Sequence, residues 1–309
     1  MSKAILVTGA TGNQGGAVID ALLSQKRNDL TILAVTRDAN SAGAKRLTSK
    51  SSSIKLVQGN LDDVPALFES AAQAASPDPI WGVYSVQISM GRGVTVDSEV
   101  AQGAALVDES IARGVSHFVY SSVERGGDAA SWETPTPVPH FQSKQRVETH
   151  LRDAATGTSM TWTILRPVAF MDNLMPGIPT KVFLTAMRDA LNGKSMQWVA
   201  VADIGAFAAL AFARPEEWRN KAVGLAGDEL TFDQMSGAFE RTTGYPAPVS
   251  YSFFGNTLMY MVTEVNLMIS WFASDGYKAD VGKCREAHPR MLNFETWLVK
   301  KSLFETGEE

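Results

Sequence analysis

Three glycines near the start of the chain have the types and spacing that bind a phosphate group. Gly9, Gly12 and Gly15 form the pattern G-x-x-G-x-x-G, directly after a short apolar segment and at the start of a helix-like one. Gly9 permits a tight turn, Gly12 lets the backbone approach a pyrophosphate, and Gly15 lets the helix pack against the strand. The helix N-terminus adds backbone N–H groups and partial positive charge. The spacing predicts a dinucleotide-binding loop; the alternative is a strand-to-helix turn that binds nothing.

The end of the second apolar segment bears on which nucleotide is bound. An acidic residue there accepts the adenosine ribose hydroxyls of NAD, whereas an arginine accommodates the 2′-phosphate of NADP. This segment ends VTRD at 35–38, so a guanidinium that can bind phosphate bidentately comes before a carboxylate. We expect NADP, with Arg37 on its phosphate; the alternatives are Asp38 as a ribose ligand and Arg37 as a solvated loop residue. Asn60, after the third segment, is either an adenine contact or an exposed turn residue.

The elements that must position these residues alternate between strands and helices. Strands are predicted at 4–8, 31–35, 54–57, 80–86, 117–120 and 161–165, and helices near 15–26, 42–50, 64–75, 98–113 and 140–155. Parallel neighbours require helical crossovers, so this order predicts an α/β fold with a Rossmann-type doubly wound parallel sheet.

After residue 167 the rhythm breaks at a cluster of prolines and glycines, and the remaining strands are predicted at 196–199 and 222–225. We therefore expect an NADP-binding domain over 1–165. A smaller mixed α/β lobe over 166–309, interleaved with the first domain and not independent of it, is expected to serve a substrate or partner.

The composition is that of an ordinary globular protein. The 309 residues carry a formal net charge of -5, and no basic surplus points to direct nucleic-acid binding. The single cysteine, Cys284, excludes an intramolecular disulfide and predicts a reducing, cytoplasmic setting, with the nucleus as a further location. The apolar stretch 257–272 is interrupted by Glu264 and Asn266, which predicts a core or pocket-lining helix and no membrane span. Cys284 and His288 have helical spacing, but two ligands make no zinc site, so no metal is expected.

Further motifs are spaced over nearly the whole chain. They are GATGNQGG at 9–16, VTR at 35–37, QGNLDD at 58–63, the segment 99–127, LRPVAFMDNL at 165–174, DIGAF at 203–207 and AGDELT at 226–231. Together they resemble the NmrA-like family of the atypical short-chain dehydrogenase/reductase superfamily. The resemblance implies NADP(H) binding. It leaves the activity open, because the family includes quinone reductases as well as regulators and redox sensors with little or no turnover.

The resemblance also implies site residues. It places Gly9, Thr11, Gly12, Asn13, Gln14 and Gly15 around the pyrophosphate, Arg37 on the 2′-phosphate, Asn60 and Leu61 beside the adenine, and Ser85, Val86 and Gln87 near the nicotinamide ribose. Family members often have aspartate where Asn60 stands. The substrate side is expected to include Phe170, Met171 and Asn173 with the apolar 257–272 stretch, and a plain core role is the alternative for the methionines.

The catalytic residues follow the superfamily pattern with one departure. Active short-chain dehydrogenases carry a Tyr-x-x-x-Lys pair, in which the lysine binds the nicotinamide ribose and the tyrosine relays a proton. Here the spacing survives as His140-x-x-x-Lys144, one helical turn apart. We expect Lys144 at the ribose, and His140 as a proton donor, a substrate or cofactor ligand, or only a helix-start residue. Ser121 and Ser122 offer hydroxyls at the end of the fifth strand.

Two functions follow. The first is an NADPH-dependent reductase, without the usual tyrosine, that reduces a moderately apolar quinone, enone or carbonyl compound by hydride transfer. The second is a non-catalytic NADP/NADPH redox sensor that regulates a transcription factor or another protein partner. The sequence leaves the oligomeric state open.

Overall fold

A computed structural model describes residues 3–89, 91 and 93–306. Its strands are β1 (Lys3–Val7), β2 (Leu30–Thr36), β3 (Ile54–Gln58), β4 (Ile80–Ser85), β5 (His117–Ser121), β6 (Thr161–Pro167), β7 (Ala169–Phe170), β8 (Met196–Val199), β9 (Lys221–Leu225) and β10 (Asp228–Leu230). Its α-helices are α1 (Asn13–Ser24), α2 (Ala42–Thr48), α3 (Val64–Ala75), α4 (Val96–Ala112), α5 (Asp128–Glu133), α6 (Pro139–Ala154), α7 (Ile178–Leu191), α8 (Val201–Ala213), α9 (Pro215–Trp218), α10 (Phe232–Thr243), α11 (Ser252–Met261), α12 (Thr263–Ser274), α13 (Val281–Ala287) and α14 (Phe294–Lys300).

The large sheet has the strand order β3-β2-β1-β4-β5-β6-β9. Strands β1 to β6 pair in parallel, with Leu6 beside Leu33 on one side and beside Val83 on the other. This order confirms the Rossmann-type prediction. The chain runs outward from β1 in one direction and then returns to the other side of β1, so the carboxyl ends of β1 and β4 flank the switch point where α/β proteins bind ligands.

The predicted strand at 222–225 was assigned to the C-terminal lobe, and that assignment was wrong. The strand is present as β9, but it extends the large sheet beside β6. Its short apolar run predicts a strand without identifying the neighbour, because pairing is a tertiary contact. The lobe's own sheet has the order β10-β8-β7, antiparallel between β10 and β8 and parallel between β8 and β7. Its presence together with helices such as α7 and α10 confirms the predicted mixed α/β lobe.

The chain forms two compact units. The first comprises Met1–Ser122, Ser143–Arg166 and Ile204–Val223, and the second comprises Val123–Gln142, Pro167–Asp203 and Gly224–Glu309. The second unit has an apolar core of its own, in which Phe294 contacts Trp198, Phe239 and Trp297 through ring packing. The separate roles expected for 1–165 and 166–309 stay predictions.

The apolar stretch 257–272 forms parts of two helices, where one was predicted. Helix α11 ends at Met261 and α12 begins at Thr263, with the backbone of Val262 outside the helical region. Neither proline nor glycine marks this break, so the apolar pattern could not show it. Trp271 is buried in α12, whereas Tyr260 in α11 is 90% exposed. Within the described ranges, no helix has both the length and the apolar character needed to cross a bilayer.

Candidate functional site

The glycine loop is folded tightly against its own backbone. Gly9 has φ +59°, and a Cβ there would lie 2.8 Å from Val86 Cγ1, at the end of β4. A Cβ at Gly15 would lie 2.3 Å from the carbonyl oxygen of Gly9. Gly12 is the N-cap of α1 and has no side chain to offer the first-turn N–H groups. The loop therefore has the compactness and the uncapped helix start that a phosphate site requires.

Side chains tie the loop to the ends of β4 and β5. The Thr8 hydroxyl accepts a hydrogen bond from the backbone N–H of Val86 at 2.8 Å. The Gln14 side-chain oxygen accepts from the Ser121 hydroxyl at 2.6 Å and from the Tyr84 hydroxyl at 3.4 Å. Burial raises the pKa of the Tyr84 phenol, which keeps its proton as a structural donor. The proton of Ser121, a predicted catalytic candidate, is thus committed to Gln14.

Arg37 and Asp38, the two residues expected to decide between NADP and NAD, have different surroundings. Arg37 is exposed at the end of β2 and makes no ion pair within the described residues. The Asp38 carboxylate accepts from the backbone N–H of Asn40 at 2.8 Å, and its carbonyl accepts from the hydroxyls of Thr36 at 3.0 Å and Ser41 at 2.8 Å. Asp38 therefore builds its own turn, while the guanidinium of Arg37 is available to a ligand.

The turn after β3 is held by its own side chains. The Asn60 amide donates to Asp62 at 2.7 Å, and Gln102 donates to the other oxygen of the same carboxylate at 2.7 Å. Leu61 lies half-buried between them in sequence. Since the Asn60 NH₂ group already has a partner, its side-chain oxygen is the better-placed group for an adenine contact.

The predicted ribose side contains an unsatisfied acceptor. Ser85 is fully buried, and its hydroxyl accepts from the Gln87 amide at 2.9 Å. The Gln87 side-chain oxygen is buried and has no hydrogen-bond partner in the part of the chain that is described. An unpaired buried acceptor costs free energy, so this position suits a ligand that donates a hydrogen bond.

Lys144 is anchored by a buried carboxylate that the sequence reasoning missed. Its Nζ donates to Glu99 Oε1 at 3.0 Å. The same carboxylate accepts from the hydroxyls of Ser143 at 2.5 Å and Ser89 at 2.9 Å. The only sequence signal was that Glu99 begins the family-like segment 99–127. Ser122, directly after the end of β5, is buried, and its backbone N–H donates to the carbonyl of Leu165.

His140 belongs to the second unit and also has a carboxylate partner. Its Nδ1 lies 2.6 Å from Glu264 Oε1, in the first turn of α12. Phe141 packs edge-on against the imidazole with ring centroids 4.7 Å apart. Because a carboxylate only accepts, Nδ1 carries the proton and the ring orientation is set. The sequence showed Glu264 only as an interruption of an apolar stretch.

The predicted substrate residues differ in exposure. Phe170 is half-buried and Asn173 is exposed, whereas Met171 has no exposed surface and packs into the core of the second unit.

Cys284 is buried, and burial raises the pKa of its thiol. Among the residues that can be described, no group of three or more histidine, cysteine or acidic side chains could hold a metal ion.

The first unit therefore fits a nicotinamide dinucleotide. It combines a glycine loop at a helix start, a free guanidinium at the end of β2, and an oriented ammonium together with a buried unpaired acceptor. These groups match, respectively, a pyrophosphate, a ribose phosphate and a ribose with its nicotinamide.

Sequence comparison finds relatives that are named as oxidoreductases and reductases. An NmrA-like family domain-containing oxidoreductase of Aspergillus hancockii is 26% identical over 262 residues, which cover 80% of this chain and 74% of that protein. An NAD(P)H azoreductase of Xenophilus azovorans is 27% identical over 251 residues, covering 78% of this chain and 74% of its own.

Solved structures share the fold at lower identity. NmrA, a negative transcriptional regulator, superposes with a TM-score of 0.70 at 17% identity, over 98% of this chain and 96% of its own. A Citrobacter triphenylmethane reductase complexed with NADP(H) superposes with a TM-score of 0.69 at 17% identity, over 97% of this chain and 99% of its own. An NADPH-dependent quinone oxidoreductase of Escherichia coli, complexed with NADPH, superposes with a TM-score of 0.67 at 18% identity, over 94% of this chain and 96% of its own.

The family model of the NmrA-like family matches residues 1–298. This chain therefore belongs to the NmrA-like family.

Proposed function

We propose that this protein is an NADPH-dependent reductase that acts on a moderately apolar quinone, enone or carbonyl compound. The observation that carries the proposal is the Lys144 ammonium, which is held by Glu99 and has no other hydrogen-bond partner within the described chain. A lysine ammonium has three N–H donors, so two remain for a ligand. In short-chain reductases the lysine at this spacing contacts the nicotinamide ribose, which lies next to the reacting carbon.

The cofactor is held by groups of the first unit. The backbone around Gly9, Gly12 and Gly15, with Thr11, Asn13 and Gln14, binds the pyrophosphate at the start of α1. Asn60 and Leu61 lie at the adenine. Val86 and Gln87 would contact the nicotinamide ribose, and Ser85 holds Gln87 by accepting a hydrogen bond from its amide. Bound NADPH supplies the hydride.

The preference for NADPH over NADH rests on Arg37. Its guanidinium is exposed and unpaired within the described residues, whereas the Asp38 carboxylate is engaged by the backbone of its own turn. A 2′-phosphate is a dianion that a guanidinium binds bidentately. A free ribose hydroxyl offers much less to the same group.

We propose His140 as the proton donor in place of the family's usual tyrosine. The Nδ1–H group donates to Glu264, which orients the ring, and the doubly protonated imidazole would give the proton on its other nitrogen to the substrate and become neutral. Ser122 and water are the further candidates, since the proton of Ser121 is given to Gln14. Quinones and other activated acceptors need less proton assistance than simple ketones, which favours them as the substrate class.

Half-buried Phe170 and exposed Asn173 are proposed as substrate contacts, and Met171 is proposed only as a core residue of the same segment. The relatives and structural neighbours support a reductase function in general terms, because they include an azoreductase, a triphenylmethane reductase and a quinone oxidoreductase.

The test is a turnover screen under anaerobic conditions. NADPH oxidation is followed with a panel of quinones, enones, azo dyes, triphenylmethane dyes and carbonyl compounds. We expect at least one class to stimulate oxidation, and Lys144→Met to abolish the stimulation. Binding of NADPH without stimulation by any member would contradict the reductase function.

A redox sensor is the second candidate, favoured by one observation in the second unit. Helix α11 and the residue before it expose Tyr251, Phe253, Tyr260 and Met261, all at more than 70%. Exposed apolar clusters commonly contact other proteins. A sensor should bind NADP and NADPH without turnover and should change its affinity for a protein partner between the two.

A further inference from the structure

We propose that Glu99 is the positioning residue of Lys144. It holds the ammonium so that the two remaining N–H groups point at the nicotinamide ribose. This inference rests on the proposed function, in which Lys144 is the ribose ligand.

The geometry around Glu99 is that of a fixed anchor. The residue lies in the first turn of α4 and is 1% exposed. It accepts hydrogen bonds from Lys144, Ser143 and Ser89. Removing a carboxylate from water is unfavourable unless hydrogen bonds replace the lost solvation, and three donors do so here. With its oxygens occupied, the carboxylate leaves the lysine one orientation.

Helix α6, which carries Lys144, also carries one member of a second buried ion pair, and this pair serves for comparison. Glu148 receives both Nε and Nη2 of Arg166, and the two side chains are 0% and 2% exposed. That pair joins α6 to β6 and engages the guanidinium on two of its donors. The Glu99–Lys144 pair differs because Lys144 is held by a single hydrogen bond, to Glu99, and two of its three N–H groups have no partner within the described residues.

Ser89 extends the role of Glu99 to the loop after β4. It lies two residues after Gln87, whose side-chain oxygen is buried and has no hydrogen-bond partner within the described residues. The Ser89 hydroxyl donates to the same oxygen of Glu99 that receives Lys144. The Glu99 carboxylate therefore holds both the Lys144 ammonium on α6 and the loop after β4 that carries the Gln87 side-chain oxygen. The first group is a hydrogen-bond donor and the second an acceptor, and a ribose with its nicotinamide needs both.

The test compares two ligands. NADPH contains the nicotinamide ribose, whereas 2′,5′-ADP contains only the adenosine half that binds at Arg37. Affinities for both are measured by calorimetry for the wild type, Glu99→Gln, Glu99→Asp and the matched control Glu148→Gln. We expect Glu99→Gln to weaken NADPH binding about 10- to 100-fold, as for the loss of one charge-assisted hydrogen bond, with 2′,5′-ADP affinity unchanged. Glu99→Asp should recover part of the loss, because the charge remains.

The inference would be overturned if Glu99→Gln lowered the affinities for NADPH and 2′,5′-ADP equally, in the same pattern as Glu148→Gln. It would also be overturned if Glu99→Gln lowered neither affinity. If Glu99→Gln does not fold, two other comparisons decide instead. Positioning would be supported if Ser89→Ala lowered the affinity for NADPH and left the affinity for 2′,5′-ADP unchanged. It would also be supported if the double variant Glu99→Asp/Lys144→Met bound NADPH no more weakly than Lys144→Met alone. Failure of the wild type to bind NADPH would overturn the proposed function itself, whereas a non-selective Glu99→Gln overturns only this inference.

Discussion

Two ion pairs, one in each unit, differ in the exposure of the acidic partner. Lys144 and His140 have side chains that are each about 10% exposed. Glu99, which holds Lys144, is 1% exposed at its side chain, whereas Glu264, which holds His140, is 34% exposed. The basic groups are thus equally buried, but only one of the carboxylates is shielded from water.

This difference separates a rigid region from an adaptable one. A shielded carboxylate with three donors cannot exchange partners for water, so Lys144 has a single orientation. Glu264 can exchange with solvent, and it lies on a helix that follows the exposed aromatic side chains of α11. Substitutions at the shielded pair and at the partly exposed pair are therefore expected to have different effects.

The largest effect is expected from crowding the rigid region. In Gly15→Ala the added Cβ would lie 2.3 Å from the Gly9 carbonyl oxygen, so the loop must move. Strain of about 1–3 kcal/mol, together with a lost charge-assisted contact of about 1.5–3 kcal/mol, should lower NADPH affinity more than about 100-fold. Gly16→Ala is the control, because its Cβ would be 3.7 Å from the nearest atom. Equal affinities for the two variants in calorimetry would refute the tight loop.

The next prediction concerns a buried imidazole in the rigid region. His117 lies between the hydroxyls of Thr161 and Thr163, and burial lowers its pKa from 6.5 to about 4. Unfolded His117 takes up a proton near pH 6.5 while the folded form stays neutral. The free energy of unfolding should therefore fall as pH drops from about 6.5 to 4, by up to about 3 kcal/mol. Denaturant titrations of the wild type and His117→Gln should show a flatter dependence in the variant; parallel curves would exclude His117 as the cause.

His140 tests the adaptable region. His140→Ala should lower kcat roughly 100-fold while leaving NADPH affinity unchanged, because a proton donor acts only in the transition state. Glu264→Gln should give a smaller loss and an altered pH profile. His150→Ala is the matched control: this histidine lies on the same helix, with its Nε2 2.7 Å from Asp108, and its side chain is 37% exposed. An unchanged kcat and pH profile in His140→Ala would remove it from proton transfer.

The smallest effect is expected at the edge of the rigid region. Arg37→Ser should weaken NADPH binding about tenfold, with NADH little affected, because only NADPH carries the 2′-phosphate. Asp38→Asn should leave both affinities unchanged, since asparagine retains the acceptor that Asn40 uses. Equal losses for both cofactors in Arg37→Ser would assign the phosphate contact elsewhere.

Local patterns predicted the scaffold well and the pairings poorly. Gly9, Gly12 and Gly15 are close in sequence, and the apolar runs of the first six strands are visible in the chain itself. Lys144 and Glu99 are 45 positions apart, and His140 and Glu264 are 124 apart, so both pairs exist only after folding. The partner of β9 and the break at Val262 were missed for the same reason, since each depends on tertiary packing.

Hydride transfer from protein-bound NADPH is tested most directly in a single turnover. The NADPH complex is mixed anaerobically with the best acceptor of the panel, and the absorbance of the reduced nicotinamide is followed. We predict that the bound NADPH is oxidised, and more slowly when the transferred hydrogen is deuterium. Bound NADPH that stays reduced with every acceptor would contradict the reductase function.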